Sequence, residues 1–296
     1  MTGRMKRGHT EQGKLLEEGG GGTGQSAGGH NPRRVFRDQF SDHNFSDDQC
    51  IRDLWFINEV VTEICQWLQP QLQPQNRAWT ALPVAVKVTV ALNFYGSGFI
   101  QAAAGDISNI SWFAVHYSKR ESTEAVYTMR KRFISFPFAR DKQEEQAQGF
   151  ARIAGLPMVQ GAIDCMHITI RAPHRNSAIF LNRKGFHSLN VQVVCDHRQR
   201  IMQVNVRYLG SSHVSFILRQ PSVPPTFQPA QQVKGWLLGD KGYLLMKWLM
   251  TLVRNAHMCA QQTYNECHAA ARNNLEHTIS VLKHCFCCMD RSGGAL

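Results

Sequence analysis

The apolar residues of this chain change their spacing at Leu156-Pro157. Before that point, Cys50–Leu68 repeats apolar residues at steps of three and four, which is the period of one helix face. After it, Val159–Arg171 is rich in β-branched residues and favours a strand. Helical periodicity followed by strand patterns excludes an all-α or all-β chain, so we expect a helical region followed by an α/β domain.

Three parts are predicted along the 296 residues. Residues 1–34 contain four consecutive glycines at 19–22, and we expect a disordered tail, because such a segment buries too little apolar area to offset its ordering entropy. Residues 35–157 are predicted to form a helical domain. Residues 158–296 are predicted to form an α/β domain.

The helical domain contains three predicted helical segments. They are Cys50–Leu68, preceded by the capping Ser46-Asp47-Asp48 and ended by Pro70 and Pro74, then Pro83–Tyr95, and then Gly98–Lys119. The last segment combines a short helix, a turn at Gly105 and a second amphipathic stretch, which resembles a helix-turn-helix. Any short packing of three helices would give the same pattern.

The α/β domain is predicted from alternating strand and helix patterns. The elements are a strand in Val159–Arg171, a hairpin of Leu189–Asp196 and Ile201–Tyr208, a short buried strand Trp236–Asp240, and a helix Thr263–Phe286. Strands, a hairpin, and then a strand followed by a helix predict a mixed sheet with flanking helices.

Positive charge is concentrated in the second half of the chain. The formal net charge is +11, and residues 159–296 hold 15 Lys and Arg against 6 Asp and Glu. A basic half beside a nearly neutral one favours a nucleic-acid partner, with a solvated basic surface as the alternative. The few acids of this half therefore become candidates for chemistry.

Nine cysteines follow no regular framework, and the first 16 residues are too polar for a secretory signal. The chain has no uncharged apolar stretch of membrane-spanning length, so we expect no membrane association. These features favour an intracellular protein with reduced thiols.

Asp164, Asp240 and Glu276 are the candidate catalytic and metal-binding residues. Two lie in or at the end of apolar strand patterns and the third lies on a helical pattern, and rigid elements of this kind can gather carboxylates. Hydrolysis of a phosphodiester by two metal ions needs such carboxylates, to hold the ions that activate water and stabilise the leaving oxygen.

Each acid also has a purely structural interpretation. Asp164 could be satisfied by backbone donors, and Asp240 could serve the Asp-Lys-Gly turn that it begins. Glu276 could be an exposed helix residue paired with Arg272 four positions earlier. Asp196 is a further possible ligand, but its place at the hairpin turn favours a turn role.

Two other patterns have alternatives as well. The C-terminal cysteines and histidines, which include a Cys285-x-x-Cys288 spacing, suggest zinc, but their irregular spacing disfavours it. Residues 182–187, Asn-Arg-Lys-Gly-Phe-His, either contact phosphate or form a basic loop at the sheet edge. The absence of phosphate-loop, dinucleotide and nucleophile-elbow motifs argues against nucleotide-binding and α/β-hydrolase chemistry.

Five sequence blocks resemble those of the Harbinger transposase-derived nucleases, domesticated relatives of the PIF/Harbinger DDE transposases. The blocks are GAIDCMHITIRAP at 161–173, LNRKGFHSLNVQVVCD at 181–196, LGSSHVSFIL at 209–218, WLLGDKGYLL at 236–245 and ARNNLEHTISVLKHCF at 271–286. The resemblance runs from near Cys50 to the end of the chain.

The resemblance implies an RNase H-like fold whose DDE acids bind Mg²⁺ or Mn²⁺. Asp164 matches the first Asp, Asp240 the second and Glu276 the Glu, while the helix-turn-helix-like segment matches the family's N-terminal region. It also implies DNA as substrate and a separate Myb-like partner for nuclear import. We therefore expect the protein in both nucleus and cytoplasm.

The chain departs from the family pattern in two places. Val214 stands where the family usually has another metal-associated Asp, and Gly293–Leu296 ends where relatives continue into a further helix, so we expect a shortened C-terminus. The predicted function is divalent-metal-dependent hydrolysis of DNA phosphodiesters. The alternative is a catalytically inactive domesticated transposase that acts as a DNA-binding or interaction protein, which both departures favour.

Overall fold

A computed structural model of the chain describes residues 46–73, 82–98, 110–212 and 234–290. Within these ranges, five helices precede the first strand. They are α1 (Asp47–Leu54), α2 (Asn58–Leu72), α3 (Val84–Ser97), α4 (Trp112–Phe133) and α5 (Arg140–Ala154). No helix among these described ranges is long and apolar enough to cross a bilayer.

The helix predicted over Cys50–Leu68 is in fact two helices. Trp55 adopts a left-handed backbone with φ of 64° directly after α1, and the chain turns before α2 begins. The backbone N–H of Asn58 then donates to Asp47 Oδ1 at 3.0 Å, which ties the two helices together. Of the two prolines predicted to end the helix, Pro70 lies within α2, whereas Pro74 comes two positions after its last residue, Leu72.

Helices α1 to α4 share a core of their own. Cys65 and Leu68 of α2 pack with Val88 of α3 and Ala125 of α4, all of them buried. Gly98 ends α3 with φ of 66°, a conformation that glycine adopts without steric cost. Burial of one face of each helix is what holds this group together.

The helix-turn-helix interpretation of Gly98–Lys119 falls largely outside the described residues, since the turn at Gly105 is among 99–109. What the structure does describe is the start of α4. The Ser111 hydroxyl caps this helix by accepting from the N–H of Ala114 at 3.3 Å. The helix-turn-helix therefore stays a prediction.

Five strands form one mixed sheet. They are β1 (Val159–Thr169), β2 (Ser188–Cys195), β3 (Ile201–Leu209), β4 (Trp236–Gly239) and β5 (Leu249–Met250), in the spatial order β3-β2-β1-β4-β5. The central strand β1 pairs antiparallel with β2 and parallel with β4. The predicted hairpin is confirmed as β2 and β3, and the predicted short strand is confirmed as β4.

Helix α6 (Cys259–Cys285) follows the sheet and packs on one of its faces together with α5. Phe150 of α5 and Leu275 of α6 share a core with Ala162 and Met166 of β1. A second core on the other face contains Ile163 and Leu237. This mixed α/β arrangement with helices against the sheet agrees with the predicted fold class.

The predicted division at 157/158 stays a prediction. Helix α5 lies before that point, yet its Phe150 and Ala154 are buried in the core of the sheet. The α/β unit therefore includes at least one helix from upstream of the predicted boundary.

Candidate active site

The pairing of β1 with β4 brings two of the three candidate acids together. Ile163 lies opposite Gly239 in this parallel pair, so the next residues, Asp164 and Asp240, are neighbours across the two strands. The residues on either side of Asp164 that share its strand face, Ala162 and Met166, pack in the core under α6. The carboxylate of Asp164 is therefore on the face that α6 covers.

The third candidate acid reaches the same place from α6. Leu275 is completely buried in the core between helix and sheet, and Glu276 follows it at the edge of that contact. Arg272, one turn earlier on the same helix face, lies beside Glu276. The docking of α6 thus fixes the position of both charged residues.

Arg272 contacts all three acids at once. Its Nη2 lies 2.8 Å from Asp164 Oδ2, while its Nη1 lies 3.5 Å from Asp240 Oδ1 and 3.3 Å from Glu276 Oε1. The Arg272 side chain is only 8% exposed, whereas the acids are 24%, 41% and 57% exposed in that order. The predicted trio therefore converges on one buried guanidinium, with its outer edge open to solvent.

The environment of Asp164 shifts the pKa of its carboxyl group upward. Burial raises the pKa of its carboxyl group, and the charges of Asp240 and Glu276 raise it further. The Arg272 guanidinium and a hydrogen bond from the Cys165 N–H act in the opposite direction and do not fully offset the burial. A nearby cation would stabilise the ionised form of such a group.

The donor set is made only of carboxylate oxygens, which hard divalent cations such as Mg²⁺ and Mn²⁺ prefer. As the side chains stand, these oxygens contact the guanidinium. Across the described ranges, no group of three or more His, Cys, Asp or Glu side chains is placed to hold a metal ion directly. The chemistry of the site fits a divalent cation, and the guanidinium lies between its donors.

Two residues behind the sequence alternatives have structural contacts elsewhere. Asp196 serves the hairpin turn: its Oδ1 accepts from the N–H groups of Arg198 and Arg200, and its Oδ2 contacts the Arg200 side chain at 2.7 Å. His268, one of the residues behind the zinc interpretation, is fully buried, with its Nε2 3.3 Å from the carbonyl oxygen of Met250. Neither residue joins the three acids.

The basic loop at 182–187 is an organised turn. The buried Asn182 side chain accepts from the N–H of Lys184 and donates to the Ser188 hydroxyl, both at 2.9 Å. Gly185 takes φ of 78° at the turn. Arg183 and Lys184 are exposed on it.

Arg272 is the one site residue that sequence reasoning missed. Its spacing of four from Glu276 was visible, but that spacing is common on helix surfaces and predicts only a weak exposed pair. Its contact with Asp164 joins residues 108 positions apart. No local pattern reports such a contact.

Comparison with known proteins agrees with this geometry. Residues 163–294, which contain all three acids, match the family described as DDE superfamily endonuclease. Over 259 residues the chain is 32% identical to the protein named "Putative nuclease HARBI1" of Bos taurus and of Homo sapiens, covering 88% of this chain and 74% of each relative. It is 24% identical over 213 residues to an ALP1-like protein of Arabidopsis thaliana, covering 67% of this chain and 52% of that protein.

No solved structure matches the chain. The extent of the sequence match and the placement of its acids lead to one conclusion. The chain belongs to the HARBI1 family of Harbinger transposase-derived nucleases, within the DDE superfamily of endonucleases.

Proposed function

We propose that this protein hydrolyses DNA phosphodiester bonds with the help of divalent metal ions, and that Asp164, Asp240 and Glu276 hold those ions. One observation carries the proposal. Three carboxylates from β1, from the end of β4 and from α6 meet at the guanidinium of Arg272. Membership of a nuclease family supports the same chemistry.

Backbone hydrogen bonds orient two of the three acids, and the third is more exposed to solvent. The N–H of Cys165 donates to Asp164 Oδ1 at 2.7 Å, and the N–H of Lys241 donates to Asp240 Oδ1 at 2.6 Å. These contacts fix the orientation of both carboxylates. The other oxygen of Asp164, Oδ2, contacts Arg272 Nη2, and that of Asp240 takes no part in the contact with Lys241. Glu276 is the most exposed acid and lies nearest to where a substrate would approach. Bound Mg²⁺ or Mn²⁺ would supply an activated water and neutralise charge on the phosphate.

DNA is the proposed substrate because the segment that contains these few acids is rich in Lys and Arg. Most of the formal net charge of +11 belongs to residues 159–296. We propose that Arg183 and Lys184, exposed on the turn organised by Asn182, contact DNA phosphates. Contacts of this kind position a duplex without reading its sequence.

Cleavage of supercoiled plasmid in Mn²⁺ tests the proposal. Asp164→Ala, Asp240→Ala and Glu276→Gln should each lower the rate by about a hundredfold or more, as loss of a charge-stabilising group does in other enzymes. Glu144→Gln is the matched control, because Glu144 also pairs with an arginine four positions away on a helix but lies outside the site. A chelator should abolish cleavage by the unmodified protein.

Cleavage that survives Asp164→Ala and Asp240→Ala would remove the proposed site. A protein that retains plasmid in a gel shift but never cleaves it would instead favour the inactive DNA-binding alternative. Val214, the position that motivates that alternative, lies outside the described residues.

We further propose, from the family resemblance alone, a Myb-like partner and a distribution between nucleus and cytoplasm. Imaging of the tagged protein with and without a co-expressed Myb-like partner tests both points. The nuclear fraction should rise when the partner is present.

A further inference from the structure

The side chain of Arg272 has an unusual position for a surface-helix arginine. It is 8% exposed and reaches from α6 to the ends of two strands. Its Nη2 contacts Asp164, and its Nη1 lies between Asp240 and Glu276. The guanidinium therefore occupies the centre of the carboxylate cluster.

This position conflicts with a metal ion held by the same acids. An ion bound by the Asp164 and Asp240 carboxylates would lie about 2.0–2.6 Å from their oxygens. Asp164 Oδ2 and Asp240 Oδ1 now contact Nη2 and Nη1. A divalent ion and a guanidinium sharing that space would repel each other strongly, because both are positive and little solvent separates them.

The guanidinium is also incompletely satisfied where it lies. Arg272 Nε is buried and has no hydrogen-bond partner within the described part of the chain. A buried donor without a partner costs free energy, and the polar contacts of the side chain with the three acids are made by its two Nη groups. When a divalent cation binds the carboxylates, the two Nη groups lose these contacts. We then expect the Arg272 side chain to move out of the site.

We propose that Arg272 is an internal cation that closes the metal site of the metal-free protein, and that a divalent ion binds only when the guanidinium withdraws. This inference rests on the proposed function, since it assumes that the three acids bind metal. Arg272 then has two effects. It keeps three neighbouring carboxylates from repelling one another, and it lowers the affinity of the site for metal.

Mn²⁺ binding to the full chain, measured by calorimetry, separates these effects. Arg272→Met should bind Mn²⁺ about tenfold or more tightly than the unmodified protein, in the usual range of coupling between two competing ligands. The same variant should melt at a lower temperature without metal and show the larger rise in melting temperature when Mn²⁺ is added. Arg140→Met is the matched control, because Arg140 pairs with Glu144 at the same helical spacing but is exposed. It should bind Mn²⁺ as the unmodified protein does.

The unmodified protein offers a second readout that does not depend on a variant folding. An arginine-selective reagent, phenylglyoxal, with mapping by mass spectrometry, should modify Arg272 slowly without metal and faster at saturating Mn²⁺. Arg140 should react equally in both states.

The possible failures are distinguishable. Equal Mn²⁺ affinity in the unmodified protein and Arg272→Met, or an Arg272 that stays protected at saturating Mn²⁺, overturns this inference and leaves the proposed function intact. If neither protein binds Mn²⁺, both the inference and the proposed metal-dependent function are overturned. Binding by Arg272→Met alone is the strongest supporting result.

Discussion

The packing of α6 on the sheet makes Leu275 a sensitive test of the fold around the candidate site. This side chain is completely buried among residues of β1, β4 and α6, and the charged Glu276 follows it directly. Leu275→Ala removes most of a buried aliphatic side chain and leaves a cavity between rigid elements. Such changes cost about 3–5 kcal/mol when the site cannot collapse. For a domain of this size, a loss of about 3 kcal/mol lowers the melting temperature by about 6–12 °C.

Val281→Ala is the matched control, because Val281 lies on the same helix and is 44% exposed. It should change the stability by no more than about 0.5 kcal/mol. Thermal unfolding followed by circular dichroism measures both variants under the same metal-free conditions. The melting temperature of Leu275→Ala could instead lie within 2 °C of that of the unmodified protein, which is roughly the range expected of the control. In that case α6 is not packed on the sheet as described, and the positions given for Arg272 and Glu276 are wrong as well.

Three further predictions follow from single contacts. Burial raises the pKa of Asp164, so its ionisation lowers the stability of the metal-free fold. Asp164→Asn should therefore raise the melting temperature at pH 7.5, and the gain should vanish well below about pH 3.9, where Asp is protonated in the folded and unfolded states alike. A lower melting temperature for Asp164→Asn at pH 7.5 would contradict this reasoning. Gly149→Ala should lower the free energy of unfolding, measured with denaturant, by about 1–3 kcal/mol, because the added Cβ would overlap the imidazole of His197. An unchanged unfolding midpoint would show that the ring moves freely. Burial raises the pKa of the Cys165 thiol to about 12. Iodoacetamide at pH 8 should therefore label the exposed Cys259 long before Cys165, as peptide mapping can measure. Equal labelling rates would mean that β1 opens readily.

Elements with a strong local pattern were predictable from the sequence. Strand β1 and the hairpin of β2 and β3 follow runs with β-branched residues, β4 follows a short apolar run, and the structure has them within a few residues of the prediction. The two-residue strand β5 was not predicted. The break between α1 and α2 was not predictable, because the apolar period of three and four continues across it. The left-handed backbone of Trp55, a residue that does not favour that conformation, gives no signal in the sequence.

The candidate site likewise contains residues that could be predicted from the sequence and one that could not. The three acids stood out because acids are scarce in a basic segment, and the structure brings their carboxylates together. Arg272 did not stand out among the 15 basic residues of that segment. Its contacts with Asp164 and Asp240 depend on where α6 docks and not on its neighbours in the sequence. The sequence encodes which side chains can take part; the docking of α6 determines which of them meet.

The long sequence separation within the site has a consequence for the protein while it is being made. Asp164 and Arg272 are 108 positions apart. Asp240 joins the site only when β4 pairs with β1, and the hairpin of β2 and β3 separates these two strands in the sequence. Contacts this distant form late, because the chain must first close large loops. During translation the sheet's first three strands emerge well before α6 does. A nascent chain that has folded its hairpin therefore still lacks the candidate site, and any cleavage activity arises only once synthesis has passed Glu276.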